Sequence, residues 1–368
     1  MATPNPPDSG TPPSTWAAVA GAVLVLTAAV SVLLVAFAWP SVRSSLHDVP
    51  IAVAGPPAAA ERVSAALERG RPGAFEITEV ADTAAAERLI RDREVYGAID
   101  VSSGKPQVIT ASAGAAPVAQ ALQGVAAALG QAQGQGNHPA PGTDPGPGTD
   151  PAPATVTGPA PDPVPTTTVP VRDLVALPPD DPRGAGLAAG ALPLVMGGLL
   201  AAVLLTRLVG GTAHRVVGAL AFAVTGGLAV TAILQFWFGS LNGSYAANSG
   251  AVALAVAATS LTVIGLVSLL GYAGFGIGAA AMVLVGNPLS GTGTAPEMLP
   301  GWSGALGRLM PPGAGSWLLR STAFFDGRGA ARSVVVLLAW LALGALLCLA
   351  GSVRARRTSP TGPSPVAV

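Results

Sequence analysis

Residues 187–205 (LAAGALPLVMGGLLAAVLL), 216–237 (VVGALAFAVTGGLAVTAILQFW) and 251–270 (AVALAVAATSLTVIGLVSLL) decide the fold. Each reaches the roughly 20 apolar residues with which a helix crosses a bilayer. A fourth run, 272–286 (YAGFGIGAAAMVLVG), is shorter and fits a tilted or broken span. From Gly184 to Pro296 the chain carries no Asp, Glu or Lys, and its basic groups are Arg207, His214 and Arg215. Helices that are hydrophobic all round have no face to offer water, so lipid is the solvent this stretch requires.

The whole chain agrees with its centre. Half of the residues are hydrophobic, a tenth are charged and the formal net charge is zero, which argues against nucleic acid as a partner. Cys348 stands alone, so no intrachain disulfide and no cysteine metal cluster is expected. Upstream, residues 1–15 read as a disordered cytoplasmic tail rich in Pro, Thr and Ser. Trp16 and Trp39 bracket an apolar run, so residues 16–39 read as a first transmembrane helix that Pro40 ends. A cleaved signal peptide is the alternative, because Ala36-Phe37-Ala38 has a small-x-small pattern. The tail lacks Lys and Arg, and the run exceeds a signal core, which favours a retained anchor.

Residues 40–130 change character. Strands are expected at 49–54, 75–80, 96–101 and 107–111, and helices at 58–69, 83–93 and 117–129, with Asp82 as an N-cap. The order β-α-β-α-β-β-α implies a small α/β domain inserted between the first and second spans. It contains no phosphate-binding loop. Residues 131–185 then read as a disordered linker rich in Pro, Gly and Thr, in which Asp144, Asp150, Asp162, Asp173, Asp180 and Asp181 serve as solubilising charges.

The membrane domain is expected over 186–353, with spans near 187–206, 216–238, 250–270, 272–286 and 333–353. Residues 354–368 form a disordered cytoplasmic tail. The turn 206–215 holds Arg207, His214 and Arg215. His214 has no second His or carboxylate near it, so a loop position at the headgroups is favoured over a metal or proton role. Residues 238–249 read as a link with Asn242, Tyr245 and Asn248 at an interface. Residues 287–332 mix Pro/Gly turns with two amphipathic pieces, 302–310 and 316–325. Trp302, Trp317, Phe324 and Phe325 suit the headgroup level, and the pieces suit a re-entrant-like loop.

That loop carries a resemblance. NPLSG (287–291), APEMLPGW (295–302), LGRLMPPGAG (306–315) and LLRSTAFFDG (318–327) look like the ABC-2 type permeases of the phage-infection-protein kind. VPIAV (49–53) and VYGAI (95–99) at the front agree with it. The motif residues are Asn287, Pro288, Ser290, Gly291, Pro300, Pro311, Pro312 and Gly313. The resemblance implies an α-helical polytopic protein of about six spans in the cell membrane, with both termini cytoplasmic and residues 40–185 outside. It departs from longer relatives in its Pro/Gly/Thr linker.

The expected function is therefore a permease subunit of an exporter, acting on an unidentified substrate. The chain lacks Gly-x-x-x-x-Gly-Lys-Ser/Thr, so a separate ATPase subunit would supply the energy. Arg207, His214 and Arg215 are the candidate coupling turn, because the arginines can make bidentate contacts to carboxylates. Anchoring at lipid phosphates is the alternative role. A scaffold or surface receptor on the same fold is the alternative function. An ion-coupled transporter is disfavoured by spans without acids. No Ser/His/Asp set, metal cluster or paired carboxylate argues for an enzyme, and no cofactor is expected. The expected partners are the lipid bilayer and the ATPase subunit, with homo-oligomerisation open.

Overall fold

The structure is a computed structural model and describes residues 16–136 and 168–358. The expected tails and the middle of the linker lie outside the described residues. Five helices are long and apolar enough to cross a membrane, and a small α/β unit accompanies them.

Helix α1 runs from Trp16 to Val42. It passes Pro40 by two residues, because so near the C-terminus the missing donor costs one terminal bond and Arg43 N still donates to Trp39 O at 3.1 Å. Its apolar side chains are almost all exposed, as expected of a helix meant for lipid.

The α/β unit follows in the expected order: β1 (Val49–Ala54), α2 (Pro57–Gly70), β2 (Phe75–Val80), α3 (Thr83–Arg91), β3 (Gly97–Asp100), β4 (Gln107–Thr110) and α4 (Ala116–Gly136). Asp82 caps α3, accepting from Ala85 N at 2.8 Å. The sheet order is β2-β1-β3-β4-β5, in which β1 lies parallel to β2 and β3 while β3 and β4 are antiparallel. Ile51, Ile99, Val108 and Leu122 fill one face beneath α2 and α4. Ala52, Ala98, Ile109 and Ile90 of α3 fill the other. Both faces are covered, so β1 reads as a nearly unbroken apolar run.

The fifth strand corrects the linker reading. Strand β5 (Val171–Asp173) lies parallel to β4, with Val108 opposite Val171. Asp173 accepts from Ser112 N, and Leu174 N donates to Thr110 O at 2.8 Å. Asp181 is not a solubilising charge either. It is buried, and its carboxylate accepts from Ala185 N and Gly186 N at the start of the next helix.

The helical part comprises α5 (Ala185–Leu208), α6 (Thr212–Ala232, continued by a π turn to Trp237), α7 (Tyr245–Leu270), α8 (Tyr272–Ala280, continued by a π turn to Gly286), α9 (Ser303–Leu309), α10 (Pro311–Phe324) and α11 (Ala331–Thr358). The expected fourth central span is thus a nine-residue helix and a six-residue π turn, shorter than the five long helices. Helix α7 is the hub, packed by α5, α6, α8, α10 and α11.

Close backbone approach holds that hub. A Cβ added at Gly344 of α11 would meet Leu261 C at 2.6 Å, and one at Gly265 of α7 would meet Gly344 O at 2.7 Å. Thr262 Oγ1 donates to Ala258 O at 2.8 Å and reaches Trp340 O at 3.2 Å. Lipid tails are as apolar as Leu, so van der Waals contact and such hydrogen bonds, rather than exclusion from water, drive helices together in a bilayer. The start of α7 also corrects the sequence reading. Tyr245 and Asn248 lie in its first turns, and Asn248 Nδ2 donates to Asn242 O at 2.8 Å and Gln235 Oε1 at 3.1 Å.

Candidate functional site

The motif loop condenses into a tight knot at the end of the helices nearest the α/β unit. Glycines let its backbone strands touch. A Cβ at Gly304 would strike Pro296 O, one at Gly307 would strike Leu289 O, and one at Gly313 would strike Gly307 O. Ser290 Oγ donates to Asn287 O at 2.7 Å, and the hydroxyls of Ser290, Thr292 and Ser316 form a chain with links of 2.8 Å. Ser316 Oγ also reaches Pro312 O at 2.8 Å. Most of the motif residues are therefore together: Asn287, Pro288, Ser290 and Gly291 pack near Pro311, Pro312 and Gly313. Pro300 sits further along, accepting from Ser303 Oγ at 2.7 Å.

A cleft of about 370 Å³ with a mixed polar and apolar lining opens beside this knot. Phe37, Pro40 and Ser41 of α1, Ala188 and Ala191 of α5, and the segment from Asn287 to Thr294 line it. Asn287 Oδ1 is buried there without a protein hydrogen bond.

The α/β unit is fastened to the helical part through Arg93, which sequence reading passed over. Arg93 has a left-handed backbone (φ 63°) just past the end of α3. Its Nη1 donates to Trp317 O at 3.0 Å and to Ser321 Oγ, and its guanidinium lies 3.7 Å from the Trp317 ring centre and 4.9 Å from that of Phe325. Burial, helped by the neighbouring Arg320 charge, lowers its pKa to about 9. Tyr96 OH donates to Glu297 Oε2 at 2.7 Å, and Glu297 pairs with Arg308 at 3.4 Å. Burial and the Glu297 carboxylate push the Tyr96 phenol well above its ordinary range. Trp317 and Phe325 thus pack in this seam, whereas Trp302 is exposed. Nothing local in the sequence marks Arg93, since its partners come more than two hundred residues later.

The turn 206–215, the candidate for coupling, lies at the other end. Arg207 stacks over Tyr272, 5.3 Å from the ring centre, and Arg215 Nε donates to Val209 O at 2.8 Å, closing the turn. His214 lies against the glycine turn, where a Cβ added at Gly211 would meet its Nδ1 at 3.5 Å. The parallel pairing of α7 with α11 brings Arg354, Arg356 and Arg357 to this same end. Across 206–215, 269–273 and 352–358 there is no Asp or Glu. Among the described residues no cluster of His, Cys, Asp and Glu could hold a metal ion. Comparison with family models, curated proteins and solved structures finds no match.

Proposed function

We propose that this chain is the permease subunit of an exporter of the ABC-2 type, driven by a separate ATPase. In this reading it lies in the cell membrane with residues 40–185 on the outer side. The observation that carries the reading is the course of α5. Its first turns, Ala188 and Ala191, line the cleft beside α1, and its last turn holds Arg207 on the acid-free cationic end. One continuous helix therefore joins a cleft that could admit a solute to a surface suited to an acidic partner. The orientation follows the topology that the resemblance implies, since Arg43, Arg183, Arg328 and Arg332 at the opposing end leave no clear excess of Arg on either side. The opposing Arg308 and Arg320 are engaged inside the protein and are not free loop charges.

The test is co-purification from the native membrane in mild detergent. An ATPase subunit with a phosphate-binding loop is expected with the unmodified chain. It should be lost from the Arg207→Gln/Arg356→Gln/Arg357→Gln variant and kept by Arg328→Gln at the opposite end. No ATPase with the unmodified chain overturns the reading. A non-transporting scaffold or receptor then takes its place. One observation favours that second reading: the pocket between α5, α7 and α10 has a free volume of about 20 Å³, room for roughly one water.

A further inference from the structure

A second cavity, of about 110 Å³, lies between the α/β unit and the start of α5. It is distinct from the cleft beside α1, although Ala188 and the segment Thr292–Thr294 border both. Its volume is several times the roughly 10–15 Å³ that one water occupies by the same measure. Ser112, Arg183, Thr292, Thr294 and Arg320 line it with polar side chains.

Arg320 is the decisive residue. It is 8% exposed, on the well-packed helix α10. Nη2 donates to Thr292 O at 2.8 Å, but Nε has no hydrogen-bond partner. No carboxylate pairs with this guanidinium among the described residues. A buried cation without a counterion is strongly disfavoured, so such groups in folded proteins are paired or serve a ligand.

The surroundings add further positive potential. Arg183 borders the cavity from an exposed position at its rim. Two helices begin there, since Ala115 and Ala116 introduce α4 and Gly184 and Ala185 introduce α5. The first amides of α5 are already taken by Asp181, which offsets that helix end. Helix α4, 21 residues long, has no acidic residue in its first turn, and its positive end is left uncompensated by its own sequence. The Thr294 hydroxyl is of the kind that donates to oxyanions, whereas that of Thr292 is engaged with Ser290 and Ser316.

We propose that this cavity binds a phosphate group, held by Arg320 and Arg183 at the start of α4. The group is either a free phosphate or the headgroup of an anionic lipid, since the cavity sits where the helix ends meet the α/β unit. The assignment holds whether or not the chain works with an ATPase.

The test uses the full-length chain in nanodiscs of zwitterionic lipid and reads thermal unfolding by tryptophan fluorescence. Inorganic phosphate, titrated against chloride at constant ionic strength, is expected to raise the midpoint with saturation. A parallel series replaces part of the zwitterionic lipid with phosphatidic acid. Saturation with inorganic phosphate supports the site and marks a soluble ligand. Stabilisation by phosphatidic acid alone supports it and marks a lipid. Arg183→Gln, at an exposed position, should raise the half-saturating concentration roughly tenfold or more, as loss of a charged hydrogen bond implies. Arg320→Gln should abolish the response, with Arg320→Lys as the substitute if that variant does not fold. Absence of a saturable shift in both series overturns the proposal. So does an Arg183→Gln variant that responds like the unmodified chain.

Discussion

The α/β unit and the helical bundle solve the same packing problem with different residues. Around β1 and β3 the interior is made of Ile51, Val53, Ile99, Ile109 and Leu122, large side chains withdrawn from water. Around α7 the contacts that matter are made by absence of side chain, at Gly198, Gly227, Gly265, Gly344 and Gly351. Water drives the first kind of core and supplies the second with nothing, because the bundle's alternative surroundings are also apolar. A methyl group has opposite value in the two places. It adds buried area in the sheet and pushes helices apart in the bundle.

The largest expected effect tests this directly. Gly344→Leu places four carbons where a single one already meets Leu261 C and Thr262 N at 2.6 Å. Both contacts are backbone of the hub helix, so neither can swing away. The variant is expected to lose α7–α11 packing, seen as collapse of the monodisperse peak in detergent gel filtration. By contrast Ile99→Ala, which removes bulk from the sheet, should cost about 2–5 kcal/mol while leaving the bundle assembled. A Gly344→Leu protein that elutes and melts like the unmodified chain would show that close approach does not hold the bundle.

The next effect concerns the seam between the two regions. Arg93→Ala removes bonds to Trp317 O and Ser321 Oγ together with two ring contacts, all in a desolvated place. A loss of about 2–4 kcal/mol is expected. Arg328→Gln cuts the pair with Asp92 at the same border, but both side chains there are about half exposed, so a change under about 1 kcal/mol is expected. Hydrogen exchange of β1 and β3 amides should rise for Arg93→Ala and stay level for Arg328→Gln. Equal effects would mean that the border is held by charge in general and not by the Arg93 guanidinium.

The same contrast explains what the sequence disclosed. The α/β elements were legible because water imposes a period, and caps such as Asp82 mark the ends. The long spans were legible because lipid imposes a length. Strand β5 left no mark: Val171, Arg172 and Asp173 are all exposed, so no alternation betrays them, and they lie beside a Pro/Thr-rich stretch. Arg93 and Arg320 were illegible for another reason. The partners of Arg93 are set by how the α/β unit meets the helical part, and that of Arg320 by how the loop 287–332 folds on itself, and no local pattern records either. The motif residues from Asn287 to Gly313 were singled out by resemblance, while the glycines that let them pack declare their purpose only in three dimensions.

A smaller effect than the loss of Arg93 lies at the end of the central strand β3 and depends on pH. Asp100 is buried at the end of β3, where its carboxylate accepts from Thr83 Oγ1 at 2.5 Å, Gln107 Nε2 at 2.7 Å and Ser102 N at 2.9 Å. Burial alone would raise its pKa, but the bonds from Ser102, Thr83 and Gln107 outweigh burial, and the net shift is downward. A carboxylate with a depressed folded-state pKa binds fewer protons than in the unfolded chain. Its contribution is thus complete above the ordinary carboxylate range and fades as pH falls through the folded value. Asp100→Asn keeps the size but not the charge, and its amide nitrogen cannot accept. A loss of about 1–2 kcal/mol is expected at neutral pH, read as a lower unfolding midpoint of the α/β unit. The difference between the variant and the unmodified chain should narrow as the pH drops below about 4. A gap that stays constant from neutral to acid pH would mean that Asp100 acts through shape alone.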